Sequence, residues 1–422
     1  MSNPLANLQS CVSGKYRVET LESPLLAQLR QQASLGDSSG YESRLAELVV
    51  ANREKLEATA VPISDTGWKP NLILDVGLNR ICTDSTYGKF SEATLGTGTT
   101  PTVYDPGAIT ATASGTSCTA SSSFFTAGMA GMLIHWDSGE EAYIQTYNSG
   151  TSVTLRASTT ASGAFAVHAV NRTGPASASR TKMNTNNPTF TLASGVNTQA
   201  KTWVFDLETT NKVYTEGAIR ADTSGAYWSV FLISGGSVTV EIGQQARMSY
   251  SIATSVTTTA VSGTWPMSAY DASAPGGWDN TSGQGQICTG AGLGSATSNV
   301  GYSLPPGSAG GGHDQGTITS RTTLYTYRDD GADSTTSIIG SVVGSASSYV
   351  AGTFYRDSTY FFPAATYNTT AIRSFVIGAQ SNFGGGNYAM WQFLFDTAKT
   401  LNHDHSLSLT LRRSLRRVIT NP

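Results

Sequence analysis

The residues best suited to metal chemistry are His403, Asp404 and His405, near the C-terminus. On a strand, side chains two residues apart project to the same face of the sheet, so His403 and His405 could share a cation. A closed metal site needs a third or fourth ligand, and the neighbouring sequence offers none. The simpler interpretation is the polar start of a strand, and we expect neither a metal nor another cofactor.

Two pairs of adjacent carboxylates, Glu140-Glu141 and Asp329-Asp330, are candidates for acid–base catalysis. Glycosidic cleavage needs two carboxylates about 5–9 Å apart on opposite sides of the bond. Neighbouring strand residues point to opposite faces, so neither pair meets this need alone, although carboxylates distant in sequence could still meet in a cleft. The chain contains no nucleophile elbow, phosphate-binding loop or dinucleotide fingerprint. We therefore expect no enzyme.

Aromatic residues in the glycine-rich C-terminal half are the candidates for binding a glycan or a receptor. An aromatic ring offers an apolar face for stacking, and nearby Ser, Thr and Asn can hydrogen-bond hydroxyl groups. The candidate contacts are Trp278, Tyr325, Tyr327 and Tyr355. The alternative, which we favour for most of them, is that these rings pack in the core or between subunits.

One basic cluster stands out in the sequence, and it consists of Arg412, Arg413, Arg416 and Arg417. Such a cluster could bind phosphate groups. The chain as a whole has a net charge of −3, and no basic stripe occurs elsewhere. We favour pairing of these arginines with Asp and Glu, within the chain or between subunits, and expect no nucleic-acid partner.

The composition indicates a β-rich protein whose surface is largely covered by neighbouring subunits. Charged residues make up 13% of the 422 residues, about half the usual share, and 44 residues are glycine. Small polar residues suit sheet faces and turns, and they desolvate at lower cost than charges when neighbouring subunits cover them. A chain of this length can form two or three domains.

The sequence also indicates the cellular compartment in which the chain folds. No run of eighteen apolar residues occurs, so we expect no membrane span, and the first residues lack the features of a secretory signal. The four cysteines are far apart and form no CxxC pair, which favours reduced thiols in a chain that folds in a cytoplasm.

Residues 1–62 contain the predicted helical part of the chain. A serine followed by proline at Ser23-Pro24 is typical of a helix start, and Ser39 with Glu42 matches a capping box. The spacing therefore predicts an N-terminal helical hairpin. Its second helix places four apolar residues on one stripe: Leu45, Leu48, Val49 and Leu56.

From about Trp68 onward, short alternating runs separated by turn residues predict β-strands. Residues 67–107 begin this β-body, a meander predicts a small inserted antiparallel domain at 108–172, and residues 173–422 form the main sandwich-like part. No fixed-period repeat occurs, which argues against a solenoid. The predicted fold class is mainly β, with antiparallel sandwich- or barrel-like domains and an N-terminal helical hairpin.

Four stretches together resemble a recurring type of bacteriophage tail-fibre or tail-accessory protein. They follow the order of that family and span roughly 67–420. The stretches are GWKPNLILDVGLNRI (67–81), LGTGTTP (95–101), WVFDLETTNKVYTEGAI (203–219) and DTAKTLNHDHSLSLTL (396–411). The inserted stretch GMLIHWDSGEEAYIQTYNSGTSVTL also resembles a small β-module of phage structural proteins.

The resemblance implies a virion component near the tail or neck that assembles as a homo-oligomer with other virion proteins in the host cytoplasm. It implies no catalytic residue. In such proteins an N-terminal segment often attaches the chain to the particle, so we predict that residues 1–62 are the anchor, with Leu45, Leu48, Val49 and Leu56 as candidate contacts.

Two alternatives belong to other functional classes. A glycan-binding adhesin or receptor-binding protein, with a host surface glycan as partner, would explain the aromatic residues and the glycine-rich loop. A tailspike-like polysaccharide depolymerase would usually show the repeated strand spacing of a long parallel β-helix, which this sequence lacks.

Overall fold

The protein is mainly β, as predicted. The computed structural model describes residues 6–35, 38–83, 90–186, 188–220, 225–256, 261–271, 278–287, 315–325, 337–363, 366, 369–380, 387–401 and 405–419. Its α-helices are α1 Leu25–Ala33, α2 Tyr41–Ala51, α3 Arg53–Thr59 and α4 Asp75–Thr83, and Ser38–Gly40 and Ala127–Met129 form 3₁₀ turns. Among the described residues, no helix is long and apolar enough to cross a membrane.

Strands make up most of the remaining secondary structure and occur along the whole chain. The first half contains β1 Ala6–Glu22, β2 Val61–Asp65, β3 Lys69–Asn71, β4 Glu92–Gly96, β5 Val103–Tyr104, β6 Thr110–Ala120, β7 Leu133–Trp136, β8 Glu141–Ser149, β9 Ser152–His168, β10 Ala178–Met183, β11 Thr189–Ala193, β12 Val196–Val204 and β13 Lys212–Tyr214. The second half contains β14 Glu216–Arg220, β15 Tyr227–Leu232, β16 Val238–Val240, β17 Gln245–Val256, β18 Val261–Asp271, β19 Trp278–Ile287, β20 Gln315–Thr319, β21 Ile338–Val343, β22 Ser345–Ala346, β23 Tyr355–Phe362, β24 Thr369–Gln380, β25 Asn387–Leu401 and β26 His405–Arg417.

A large sheet forms the frame of the molecule, and β1 lies inside it. Its main path runs β11-β12-β17-β1-β26-β18-β19-β25-β24-β20-β21. Strand β1 pairs antiparallel with β17 from Ser10 to Leu21, and residues 6–12 pair in parallel with residues 411–417 of β26. The two ends of the described chain are therefore hydrogen-bonded side by side.

This position of β1 changes the interpretation of the N-terminal segment. The predicted N-terminal helical hairpin is not confirmed, because the helices follow a 17-residue strand that belongs to the main sheet. Val12, Tyr16 and Val18 of that strand are buried in the same core as Trp203 and Tyr250. The segment 1–62 thus contributes a strand to the body as well as helices.

The apolar stripe of the helices faces the chain itself. Leu45, Val49 and Leu56 are buried in one cluster with Leu207 and Ile242 of the body. Leu48, the fourth residue of the stripe, is partly buried against the same cluster. Helical spacing predicted the stripe correctly, but the surface that covers it comes from the same chain.

Strands β5 to β9 form a separate antiparallel sheet, which we call the inserted module (residues 103–168). The module has its own hydrophobic core, which includes Trp136, Ile144, Leu155 and Phe165. The indole Nε1 of Trp136 donates a 3.1 Å hydrogen bond to the backbone oxygen of Ala111, so this buried polar atom is satisfied. Because it has its own sheet and core, the module meets the main requirements of a folding unit.

The C-terminal strands curve back on themselves. Strand β20 pairs with β21, and after Gly344 the chain continues as β22, which pairs with β23. Strand β23 in turn pairs with β26. Because β26 also pairs with β18, the path from β18 through β21 and β23 returns to β26. A Cβ atom at Gly344 would press on the ring of Tyr360, which explains a glycine at this close approach.

The labelling rates of two cysteines test whether their side chains are buried in the core. Cys82 and Cys118 are fully buried, and burial raises the pKa of the Cys82 thiol to about 12 and that of Cys118 to about 11. The thiolate is the reactive form, so we expect iodoacetamide at pH 8 to label both residues at least ~100-fold more slowly in the native chain than in the unfolded chain. Peptide mass spectrometry measures this, and equal rates in both states would refute the burial.

Candidate functional site

The predicted metal ligands do not form a site within the described residues. His403 lies outside them, and His405 begins β26 with its side chain outside the described part. Across the described residues, no group of three His, Cys, Asp or Glu side chains is arranged to hold a metal ion. The histidine pair stays a sequence prediction.

Two of the four candidate aromatic contacts can be placed. The Tyr325 ring is only 2% exposed, and the Arg321 guanidinium lies 3.9 Å from its centroid. The half-buried Tyr355 ring is covered by Arg412 at 3.7 Å. Both rings contact an arginine of their own chain. Tyr327 and the side chain of Trp278 lie outside the described residues.

In the basic cluster near the C-terminus, Arg412, Arg416 and Arg417 pair with acidic residues, whereas Arg413 donates to the Ser358 hydroxyl at 2.8 Å. Arg412 forms two hydrogen bonds with Asp357, at 2.8 and 2.9 Å, and Arg417 contacts Asp75. Arg416 lies 3.1 Å from Glu141, a residue of one predicted carboxylate pair. The pairing alternative therefore describes three of the four arginines. The other pair, Asp329-Asp330, lies outside the described residues.

The most complete polar arrangement in the structure centres on Glu216, the first residue of β14. Its carboxylate is fully buried. Oε1 accepts hydrogen bonds from the backbone N–H groups of Gly98 at 3.0 Å and Ser177 at 2.6 Å, and Oε2 accepts one from Ala176 at 2.9 Å. The Arg172 guanidinium lies 3.5 Å from Oε2. A buried carboxylate is stable here because donors surround both oxygens.

Two glycines make room for this carboxylate. A Cβ atom at Gly96 would lie 2.7 Å from Glu216 Oε1, and one at Gly98 would come closer still. Any other residue at either position would press on the carboxylate. The glycine–threonine turn at 95–101 and the Tyr-Thr-Glu ending of 203–219 thus meet in space, more than a hundred residues apart in sequence.

Both stretches stand out in the sequence, but sequence reasoning did not connect them. The available signal was a charged residue, Glu216, among neighbours that are mostly apolar or small: Tyr214, Gly217, Ala218 and Ile219. A carboxylate in such a strand needs buried donors, and a Gly-x-Gly segment elsewhere in the chain is a source of accessible backbone N–H groups.

Other buried carboxylates in the body are paired with arginine. Glu208 accepts two hydrogen bonds from Arg180, at 2.7 and 3.1 Å, and one from the Tyr214 hydroxyl at 2.5 Å. Burial and the neighbouring Glu208 raise the pKa of Tyr214, while bonding to Glu208 raises the pKa of Arg180. Glu92 pairs with Arg220 at 2.6 Å. These ion pairs join neighbouring parts of the body.

A shallow cleft of about 390 Å³ lies beside β10 and β12. Amide, hydroxyl and ammonium groups line it together with apolar side chains: Lys182, Met183, Asn184, Thr185, Asn186, Thr202, Trp203 and Val204. The Lys182 ammonium is held by Asp206 at 2.7 Å.

No family model, curated protein or solved structure matches the chain.

Proposed function

We propose that the chain is a non-enzymatic structural subunit of a bacteriophage virion, of the tail or neck fibre type, that assembles as a homo-oligomer. The observation that supports this most is the convergence of three of the four tail-protein-like stretches on one core. Residues from 67–81, 95–101 and 203–219 share a single hydrophobic cluster: Ile73, Leu78, Ile81, Leu95, Trp203, Phe205, Tyr214 and Ile219. The ordered motifs thus act as one structural unit.

The electrostatics of the described residues support a structural role. Each described carboxyl group with a shifted pKa has that pKa lowered: Asp65 by Arg17, Asp206 by Lys182 and Glu140 by Ser138. A general acid for glycoside cleavage needs the opposite, a carboxyl group whose pKa is raised. These three carboxylates therefore fit ion pairing and turn formation better than proton donation.

Attachment to the particle through the N-terminal segment is part of this proposal. The stripe of Leu45, Leu48, Val49 and Leu56 packs against the body, so the contact would use other side chains of the same segment. Exposed apolar residues are available there, after α1, on α2 and on β2: Leu35, Val50, Val61 and Ile63. Exposed apolar groups of this kind are common at protein interfaces.

A glycan-binding or receptor-binding role is the second candidate. The cleft beside β10 and β12 favours it, because amide, hydroxyl and ammonium groups can bind sugar hydroxyls while Met183 and Val204 offer apolar surface. Binding of the full chain on a glycan array, reduced by substitutions at Asn186 and Lys182, would support this role.

The decisive test of the first candidate is a cryo-EM map of purified particles of the phage whose genome encodes this chain. We expect density for the chain in several symmetry-related copies at the tail or neck. Absence of the chain from purified particles would overturn the proposal, and release of reducing sugars from host polysaccharide by the purified chain would overturn its non-enzymatic part.

A further inference from the structure

We propose that Glu216 is a conformational latch that fixes the orientation of the inserted module relative to the body. The latch consists of the Glu216 carboxylate and its partners Gly98, Arg172, Ala176 and Ser177. When it opens, the module moves as a folded unit about its two linkers. This inference does not depend on the assembly to which the chain belongs.

The inference rests on where the hydrogen-bond donors to Glu216 lie in the chain. The module spans residues 103–168, Gly98 lies in the linker that enters it, and Ala176 and Ser177 lie in the linker that leaves it. One buried carboxylate therefore holds both linkers at once. Arg172 adds a direct link between them, since its Nη1 donates a 3.1 Å hydrogen bond to the backbone oxygen of Thr100.

The module and the body have separate sheets and separate main cores. The module has its own sheet, and its core residues form a cluster distinct from that of the body. Strand pairings of the module's sheet stay within the module. Loss of the latch thus leaves the module's own core contacts in place.

A second contact holds the side of the module against the body. The hydroxyl of Tyr143 donates a 2.8 Å hydrogen bond to Asp75, which Arg417 also contacts, and Arg416 reaches Glu141 and the backbone oxygen of Gly139. A small apolar cluster of Leu72, Leu133 and Val170 adjoins this contact. This side contact combines polar bonds with an apolar cluster, whereas the latch joins both linkers to one residue of the body.

The test is amide hydrogen exchange of the full-length chain, followed by mass spectrometry. In Glu216→Gln, the amide NH₂ replaces one oxygen and faces donors on that side, and the remaining oxygen is an uncharged acceptor, so the linker bonds are lost or weakened. Hydrogen bonds to a charged acceptor are strong enough that we expect exchange at 97–98 and 176–177 to become about 10- to 100-fold faster. Glu241→Gln is the matched control, because Glu241 is a half-exposed carboxylate paired with Arg30.

The latch predicts a local pattern of exchange. Exchange should rise in both linkers of Glu216→Gln while peptides of β7 and β9, inside the module, keep wild-type rates. Uniformly faster exchange through the module would overturn the proposal, as would unchanged linkers or exchange that rises in one linker alone. If Glu216→Gln does not fold, Arg172→Met serves as the milder variant, and it must still accelerate both linkers and spare β7 and β9.

Discussion

The Tyr16→Ala chain is expected to lose about 3–5 kcal/mol of its free energy of unfolding. Tyr16 is 3% exposed in the middle of β1, and its ring stacks on Phe231 with centroids 3.8 Å apart. The hydroxyl donates to the backbone oxygen of Leu232 at 2.8 Å and accepts from the N–H of Ser234 at 2.9 Å. The substitution leaves a cavity and two unpaired backbone groups, which together account for the size of the effect.

Urea denaturation followed by tryptophan fluorescence measures this change. The matched control is Tyr147→Ala, because Tyr147 lies on the surface of the inserted module at 36% exposure. We expect the control to change stability by no more than about 0.5 kcal/mol. Equal stability of Tyr16→Ala and wild type would show that β1 does not belong to the core.

The second large effect is expected for Glu19→Gln, at about 3 kcal/mol of lost stability. Glu19 is 1% exposed and accepts hydrogen bonds from Arg247 Nε at 2.6 Å and Nη2 at 2.7 Å, while Arg17 lies 2.9 Å away. An amide cannot accept both Arg247 bonds, and it leaves a guanidinium without its counter-charge beside the sheet. Breaking one partner of a buried pair is costly for this reason.

The comparison for Glu19→Gln is again Glu241→Gln, whose carboxylate pairs with Arg30 at 2.9 Å on the surface. Exposed ion pairs contribute about 0–1 kcal/mol, so this control should remain close to wild type in the same urea titration. If Glu19→Gln and Glu241→Gln unfold at the same urea concentration, the Glu19–Arg247 ion pair between β1 and β17 contributes no more to stability than a surface pair.

Local patterns in the sequence predicted much of the fold. Alternation with turn residues predicted a β-meander in the inserted module but missed β6 and divided β9 in two, and the mainly β class is confirmed. Strand β1 was missed because its buried face carries few apolar residues. Val12, Tyr16 and Val18 lie on that face, but Gly14 and Thr20 lie on it too and interrupt the apolar alternation. Its parallel partner β26 lies some four hundred residues away, and no local pattern encodes such a pairing.

The candidate site could be predicted only in part. The stripe of Leu45, Val49 and Leu56 was visible from helical spacing, whereas its covering residues Leu207 and Ile242 lie in distant loops of the body. The burial of Glu216 depends on donors from two linkers, and the stretch around Glu216 does not show which segments supply them. Only the folded chain brings those donors to one carboxylate.

The mass of the purified chain in solution tests most directly whether it is a subunit that assembles with itself. The measurement is light scattering coupled to size-exclusion chromatography at micromolar concentration. We predict a single species whose mass is a whole-number multiple, two or more, of the 44.2 kDa chain. A well-behaved monomer of 44.2 kDa at that concentration would contradict the proposed fibre-type subunit.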